Sequence, residues 1–208
     1  MAGASVHIMT PRKWIRLAPA SVLVATLGLA LLLMAPADAA PTAQLRHPPA
    51  ADPLPPPPQM LSLHAMLGSY KCDDHPSAGV TPTVLYETNT KGLGGHYLDS
   101  YVEIRPNVLR GRSTIGWDPD DGKYFSFYDD DWGSSYTATA PGWSNGHLIF
   151  SGSIIQVVSP NPTGHAPGIL LALGNDYQIL GPGHFTDTQT ITVPDGRSLQ
   201  HNYDCRRL

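Results

Sequence analysis

Two glutamates and four lysines are all that this 208-residue chain contains. Charged residues make up only 14% of it, too little to lace long solvated helices with ion pairs. Glycine and proline are abundant instead, at 20 and 21 residues, and both interrupt helices. Cysteine is almost missing: Cys72 and Cys205 stand alone, which excludes a dense disulfide scaffold and leaves room for one internal bridge. Cations are outnumbered, 13 Lys and Arg against 17 Asp and Glu for a net charge of −4. With no basic stripe, the chain is not a nucleic-acid binder.

What is present begins with an address. Arg12, Lys13 and Arg16 form a basic start, Leu17 to Ala35 carries no charge, and Ala37-Asp38-Ala39 fits a small-x-small cleavage site. Residues 1–39 therefore read as a secretory signal peptide, with Ala40 as the new N-terminus. The apolar run approaches spanning length, so an uncleaved membrane anchor is the alternative. No cysteine lies at the cleavage site, which argues against a lipoprotein. The expected location is secreted, extracellular or in the cell envelope. Cleavage removes three cations and Asp38, leaving the mature chain more acidic. Residues 40–59, including PLPPPPQ, are too rich in proline to join a sheet or a helix interior, and are expected to form a disordered, extended linker. Residues 60–208 remain as one domain with enough chain for a core.

The organising stretch of that domain is Leu93 to Tyr128. From His96 to Arg105 the even positions are His96, Leu98, Ser100, Val102 and Ile104, and the odd ones are Tyr97, Asp99, Tyr101, Glu103 and Arg105. One face is mostly apolar and the other amphipathic to charged, as in a half-buried strand. Val108 to Trp117 and Lys123 to Tyr128 follow as strands. The turn Asp118-Pro119-Asp120-Asp121-Gly122 between them combines fixed φ, local side-chain bonding and a residue tolerant of positive φ.

The rest of the domain reads alike. Leu61 to Leu67 gives two turns of helix stopped by Gly68. Ser69 to Asp73 is a first strand. Thr83 to Thr90 is a second, with Val84, Tyr86 and Thr88 alternating against Leu85 and Glu87. Ser134 to Ala140 and His147 to Val158 are further strands. Ser159 to Gly168 is irregular, and Ile169 to Leu180 fits either a strand or a short helix. Phe185 to Val193 and Ser198 to Cys205 form the clearest hairpin, turning at Pro194-Asp195-Gly196-Arg197. Eight or nine short strands in meander order make a sandwich or an up-and-down antiparallel β-barrel.

The cysteines favour closure, because Cys72 lies in the first strand and Cys205 in the last. In an oxidising compartment they form one bridge, fastening the seam. Cys72-x-x-His75 with His201-x-x-x-Cys205 could also supply a zinc set. Strand geometry, however, turns His75 away from Cys72, so no metal or other cofactor is expected.

Gly142-Trp143-Ser144-Asn145-Gly146 matches the nucleophile-elbow pattern but precedes a strand rather than a helix. Asn-Gly there reads as a hairpin turn, and no catalytic residue is assigned. The Asp118–Gly122 segment lacks the acidic register and closing glutamate of a calcium loop. The Asp129–Asp131 run belongs at a wetted rim. His96 with Tyr97, Tyr101, Trp117, Phe127 and Tyr128 are the candidate contacts for a ligand, since aromatics with a few polar tips suit an apolar pocket.

The set LHAMLGSYKC, LGGHYLDSYVEI, RGRSTIGWDPDDGKYFSFYDDD, GHLIFSGSI and SLQHNYDCRR resembles a family of bacterial calycin-like domains of unknown function. The shared features are Leu67, Gly68 and Tyr70; Leu93, Gly94, Gly95, His96 and Tyr97; Gly116, Trp117, Asp118 and Tyr124; and Arg206. His96 stands where the family usually has an arginine. The resemblance implies an all-β, lipocalin-like barrel and no particular activity. Two functions follow as expectations. One is a monomeric binding module for a small apolar or amphipathic ligand. The other is a cell-envelope structural or interaction module with a filled barrel. A hydrolase has only the elbow-like turn and scattered Asp/His pairs behind it, Asp176 or Asp187 with His184 or His201.

Overall fold

A computed structural model describes residues 53–157 and 167–208. The signal peptide and most of the linker expected at the N-terminus lie outside the described residues, as does most of the irregular segment after His147–Val158.

The described chain opens with one helical turn, α1 (Pro58–Leu61), continued by a 3₁₀ turn at Ser62–Met66. It takes in the last two residues of the expected linker, Pro58 and Gln59. Proline suits the first helical position, where its missing N–H has no intrahelical partner to lose. Strands follow in meander order: β1 (Gly68–Asp74), β2 (Val84–Gly92), β3 (Tyr97–Arg105), β4 (Leu109–Asp118), β5 (Lys123–Asp130), β6 (Ser135–Ala140), the two-residue β7 (Trp143–Ser144), β8 (His147–Gln156), β9 (Ile169–Gly181), β10 (His184–Thr192) and β11 (Ser198–Arg207). Each pairs antiparallel with its neighbours, β6 pairs directly with β8, and β1 pairs with β11. The sheet is thus a closed up-and-down barrel of ten strands, with β7 as a short outlier on the end of β8.

The count exceeds the expected eight or nine because Ile169 to Gly181 is one strand of 13 residues. Leu171, Leu173, Asn175, Tyr177 and Ile179 point inward from it, but Ile169 and Leu170 are also apolar and exposed. Apolar residues on both faces erase the period-2 signal there.

Cys72 and Cys205 are paired positions of β1 and β11 and are bonded to each other, 133 residues apart in sequence. The bridge crosses the seam between first and last strands. Its two sulfurs are consumed by that bond, so they do not form the zinc set with His75 and His201; His201 instead bonds Asp74.

The turns follow their residues. Asp118 Oδ1 accepts from the N–H groups of Asp120 (2.9 Å) and Asp121 (3.3 Å), closing the turn into β5. Asn145 and Gly146 sit at φ 52° and 83° between β7 and β8. This is the hairpin conformation that Asn-Gly adopts readily, with a strand after it and no helix. In the sheet itself the Phe125 ring lies across Gly116 on the neighbouring strand, where any Cβ would collide with it.

Candidate ligand cavity

Strand parity decides which side chains enter the barrel. Burial alternates along β1 and along most of β3, so Tyr70, Cys72 and Asp74 face inward from β1, and Leu98, Ser100 and Val102 from β3. From β10 it is Phe185 and Asp187.

One end of the interior is plugged. Met60, Leu63 and Met66 of the helical turns are 0–2% exposed and pack with Tyr70, Leu98, Ile115, Leu148, Phe150 and Phe185. Polar groups pin the plug. Tyr124 O–H donates to the Gln59 carbonyl at 2.7 Å, Trp143 Nε1–H to Ser62 Oγ at 2.9 Å and Tyr70 O–H to the Ala65 carbonyl at 3.0 Å.

The other end is hollow. A cavity of about 520 Å³ reaches from the level of Glu87, Asp187, Tyr136 and Tyr177 to a mouth at Asn107, Trp132, Pro194 and Leu199. Its walls are mainly hydrocarbon, with Leu85, Val102, Ile104, Ile154, Leu171 and Ile191 among them. Near the mouth the Asp74 side chain is fully buried and well partnered. It accepts from Thr83 N–H (3.1 Å) and Oγ1–H (3.0 Å), and from Asn202 N–H (3.2 Å), and pairs with His201 Nδ1 at 2.7 Å.

The deep end differs. Glu87 keeps some accessible surface, but that surface faces the cavity rather than bulk water. Burial pushes its carboxyl up to about 7, against the pull of the neighbouring Asn89 amide and Ser100 hydroxyl. Asp187 stands opposite Tyr177 on β9 and Tyr203 on β11. Burial raises its carboxyl well above the usual carboxylate range, and the charges of Glu87 and Asp176 add to the effect. Asp187 Oδ1 and Asn175 Oδ1 are buried acceptors without a hydrogen-bond partner. The Tyr136 and Tyr177 phenols are held above their ordinary range, chiefly by burial. The Glu87 carboxylate also lies within 4.8 Å of the Cys72 and Cys205 sulfurs, which sets it against the bridge.

Of the six candidate contacts, Tyr128 lines the cavity. It stacks on Tyr136 at 5.2 Å and donates to Asp130 at 3.1 Å. Trp117 also points inward, but at the plugged end, edge-on to Tyr124 at 5.0 Å. Tyr97, Tyr101 and Phe127 have outward parity on β3 and β5. Tyr101 and Phe127 are each 52% exposed, and Tyr97 leans on Phe125 at 6.2 Å. His96 sits at the plugged end, its Nε2 2.9 Å from the Leu54 carbonyl oxygen. These four are therefore not brought together with Tyr128.

Sequence reasoning names none of Glu87, Asp187 and Asn175 as a ligand contact. The available signal was parity, since Glu87 shares the face of Leu85, and Asp187 that of Phe185, Ile191 and Val193. A carboxylate in phase with an apolar stripe is an inward carboxylate. No family model matches the chain, and no curated protein matches its sequence.

Proposed function

We propose that the barrel is a binding module that holds a small amphipathic molecule in its lumen. The observation that carries this reading is the cavity of about 520 Å³ with hydrocarbon walls and convergent polar groups at its deep end. Small-molecule sites have that size and that division of labour: apolar surface supplies affinity, and a few polar atoms fix orientation. A filled interior would suit a purely structural module, but here side chains fill only the plugged half. The signal-like start supports an exported protein. The bridge between Cys72 and Cys205 accords with an oxidising compartment. The closed meander with a helical plug supports placing the chain among calycin-like domains, and a monomer is the form proposed.

The test is uptake of a neutral environment-sensitive dye by the full-length chain. One dye per chain should bind. Ser113→Trp, which drives an indole into the cavity wall, should abolish uptake while leaving the far-ultraviolet circular dichroism of the barrel intact. Unchanged uptake by that variant would place binding elsewhere.

A further inference from the structure

The head group of the ligand is legible in the floor of the cavity; this inference rests on the barrel being a container. Among the described residues lining the cavity, the charged or titratable groups other than tyrosine are Glu87, Asp130, Asp187 and His201, with no lysine or arginine. Two of these are already engaged. Asp130 accepts from Tyr128 O–H and from the N–H groups of Trp132 and Ser134, at 3.1, 3.0 and 2.8 Å. His201 pairs with Asp74 and stacks on Tyr203.

Glu87 and Asp187 are the two carboxyls left at the deep end, and Asp187 feels the charge of Glu87. Asp187 is 8% exposed with one oxygen unpartnered, and Asn175 is 4% exposed with its carbonyl oxygen unpartnered. What the lining lacks is therefore positive charge; among buried side-chain atoms without a partner, two acceptors, Asp187 Oδ1 and Asn175 Oδ1, stand against one donor, Asn89 Nδ2. A buried acceptor without a donor costs free energy that a ligand's N–H recovers on binding. A carboxylate head would face two acidic groups with no cation to offset it. An alcohol offers one hydrogen. An ammonium offers three, with a charge that compensates a carboxylate pair.

We propose that the cavity selects amphiphiles with a primary ammonium head, seated between Glu87 and Asp187, with the hydrocarbon tail running along Leu85, Val102, Leu171 and Ile191 toward the mouth. The groups facing that head are the two carboxyls, the Asn175 amide and the phenols of Tyr136, Tyr177 and Tyr203. The titratable groups beyond them are Asp176 outside the wall, and Asp74, His201 and Asp130 nearer the mouth. Seating the ammonium draws the carboxyls into their ionised forms, so binding releases protons.

The experiment compares octylamine, octan-1-ol and octanoate by titration calorimetry of the full-length chain near pH 7.5, in two buffers of different ionisation enthalpy. Octylamine should bind about tenfold or more tightly than octan-1-ol, with proton release, and octanoate should be weakest. Glu87→Gln combined with Asp187→Asn should remove the preference for octylamine over octan-1-ol and the proton release. Equal binding of amine and alcohol, or tightest binding of octanoate, overturns the head-group assignment and leaves the container intact. Binding of none of the three overturns both. The comparison of heads on the unaltered protein decides the matter even if the double variant does not fold.

Discussion

Cys72 and Cys205 face each other across β1 and β11, so a single covalent bond joins the two ends of the meander at the seam where the barrel closes. The bond encloses nearly the whole described domain. In the chain-entropy picture, a loop spanning 133 residues of sequence stabilises the fold by about 5 kcal/mol, since so much unfolded chain is constrained. Replacing both cysteines by alanine should lower the unfolding free energy toward that extent in urea titrations. A loss well below 1 kcal/mol would mean that the strand pairing alone holds the seam.

Acidity should stabilise the barrel over the range in which Glu87 titrates. Its carboxyl rises from 4.5 to about 7 on folding, mainly through burial. Below 4.5 it is protonated in both states. Between the two values the native state keeps a proton that the unfolded chain has released, so stability falls as pH rises. The full cost, about 3 kcal/mol on this shift, is reached above pH 7. Asp187 acts in the same direction. Asp204 and Glu103, whose carboxyls are lowered by their hydrogen-bond and ion-pair partners, act at more acidic pH. Urea midpoints should therefore fall between about pH 5 and pH 8, and Glu87→Gln should flatten the slope. A midpoint that climbs over this interval contradicts the burial of the two carboxyls.

The helical plug should be the part of the domain most sensitive to truncation. Leu63 is fully buried and packs with the barrel core beneath the cavity. Leu63→Ala should cost about 3 kcal/mol, from lost transfer energy and from the void it leaves. Exposed Leu61 on the same turns is 54% accessible, and Leu61→Ala should cost a few tenths of that. Equal effects in thermal melts would show that the turns do not seat as a plug.

Much of this fold is written in short-range patterns. The alternation of Leu98, Ser100, Val102 and Ile104 against Tyr97, Asp99 and Tyr101 marks β3 and its inner face. The Pro194–Arg197 turn marks the β10–β11 hairpin, with Gly196 at φ 86°. Placing one cysteine in the first strand and one in the last was enough to pair them. β9 was harder, because its first residues are apolar on both faces. The site was harder still. Aromatic identity drew attention to Tyr97, Tyr101 and Phe127, although parity turns them outward. The acidic identity of Glu87 and Asp187 drew attention away from them, although parity turns them inward. Chemical type suggests where a side chain prefers to be, but in a strand the period of two decides where it is. That these two carboxyls converge at one level of the barrel depends on the stagger of ten strands, which no local pattern encodes.

The most direct test of the hollow barrel is to locate a neutral ligand. Octan-1-ol bound to isotope-labelled full-length protein should give intermolecular nuclear Overhauser effects to the methyl groups of Leu85, Val102, Leu171 and Ile191, which line the lumen. Contacts instead to the rings of Tyr101 and Phe127 would put the ligand on the outer wall, and contradict the account.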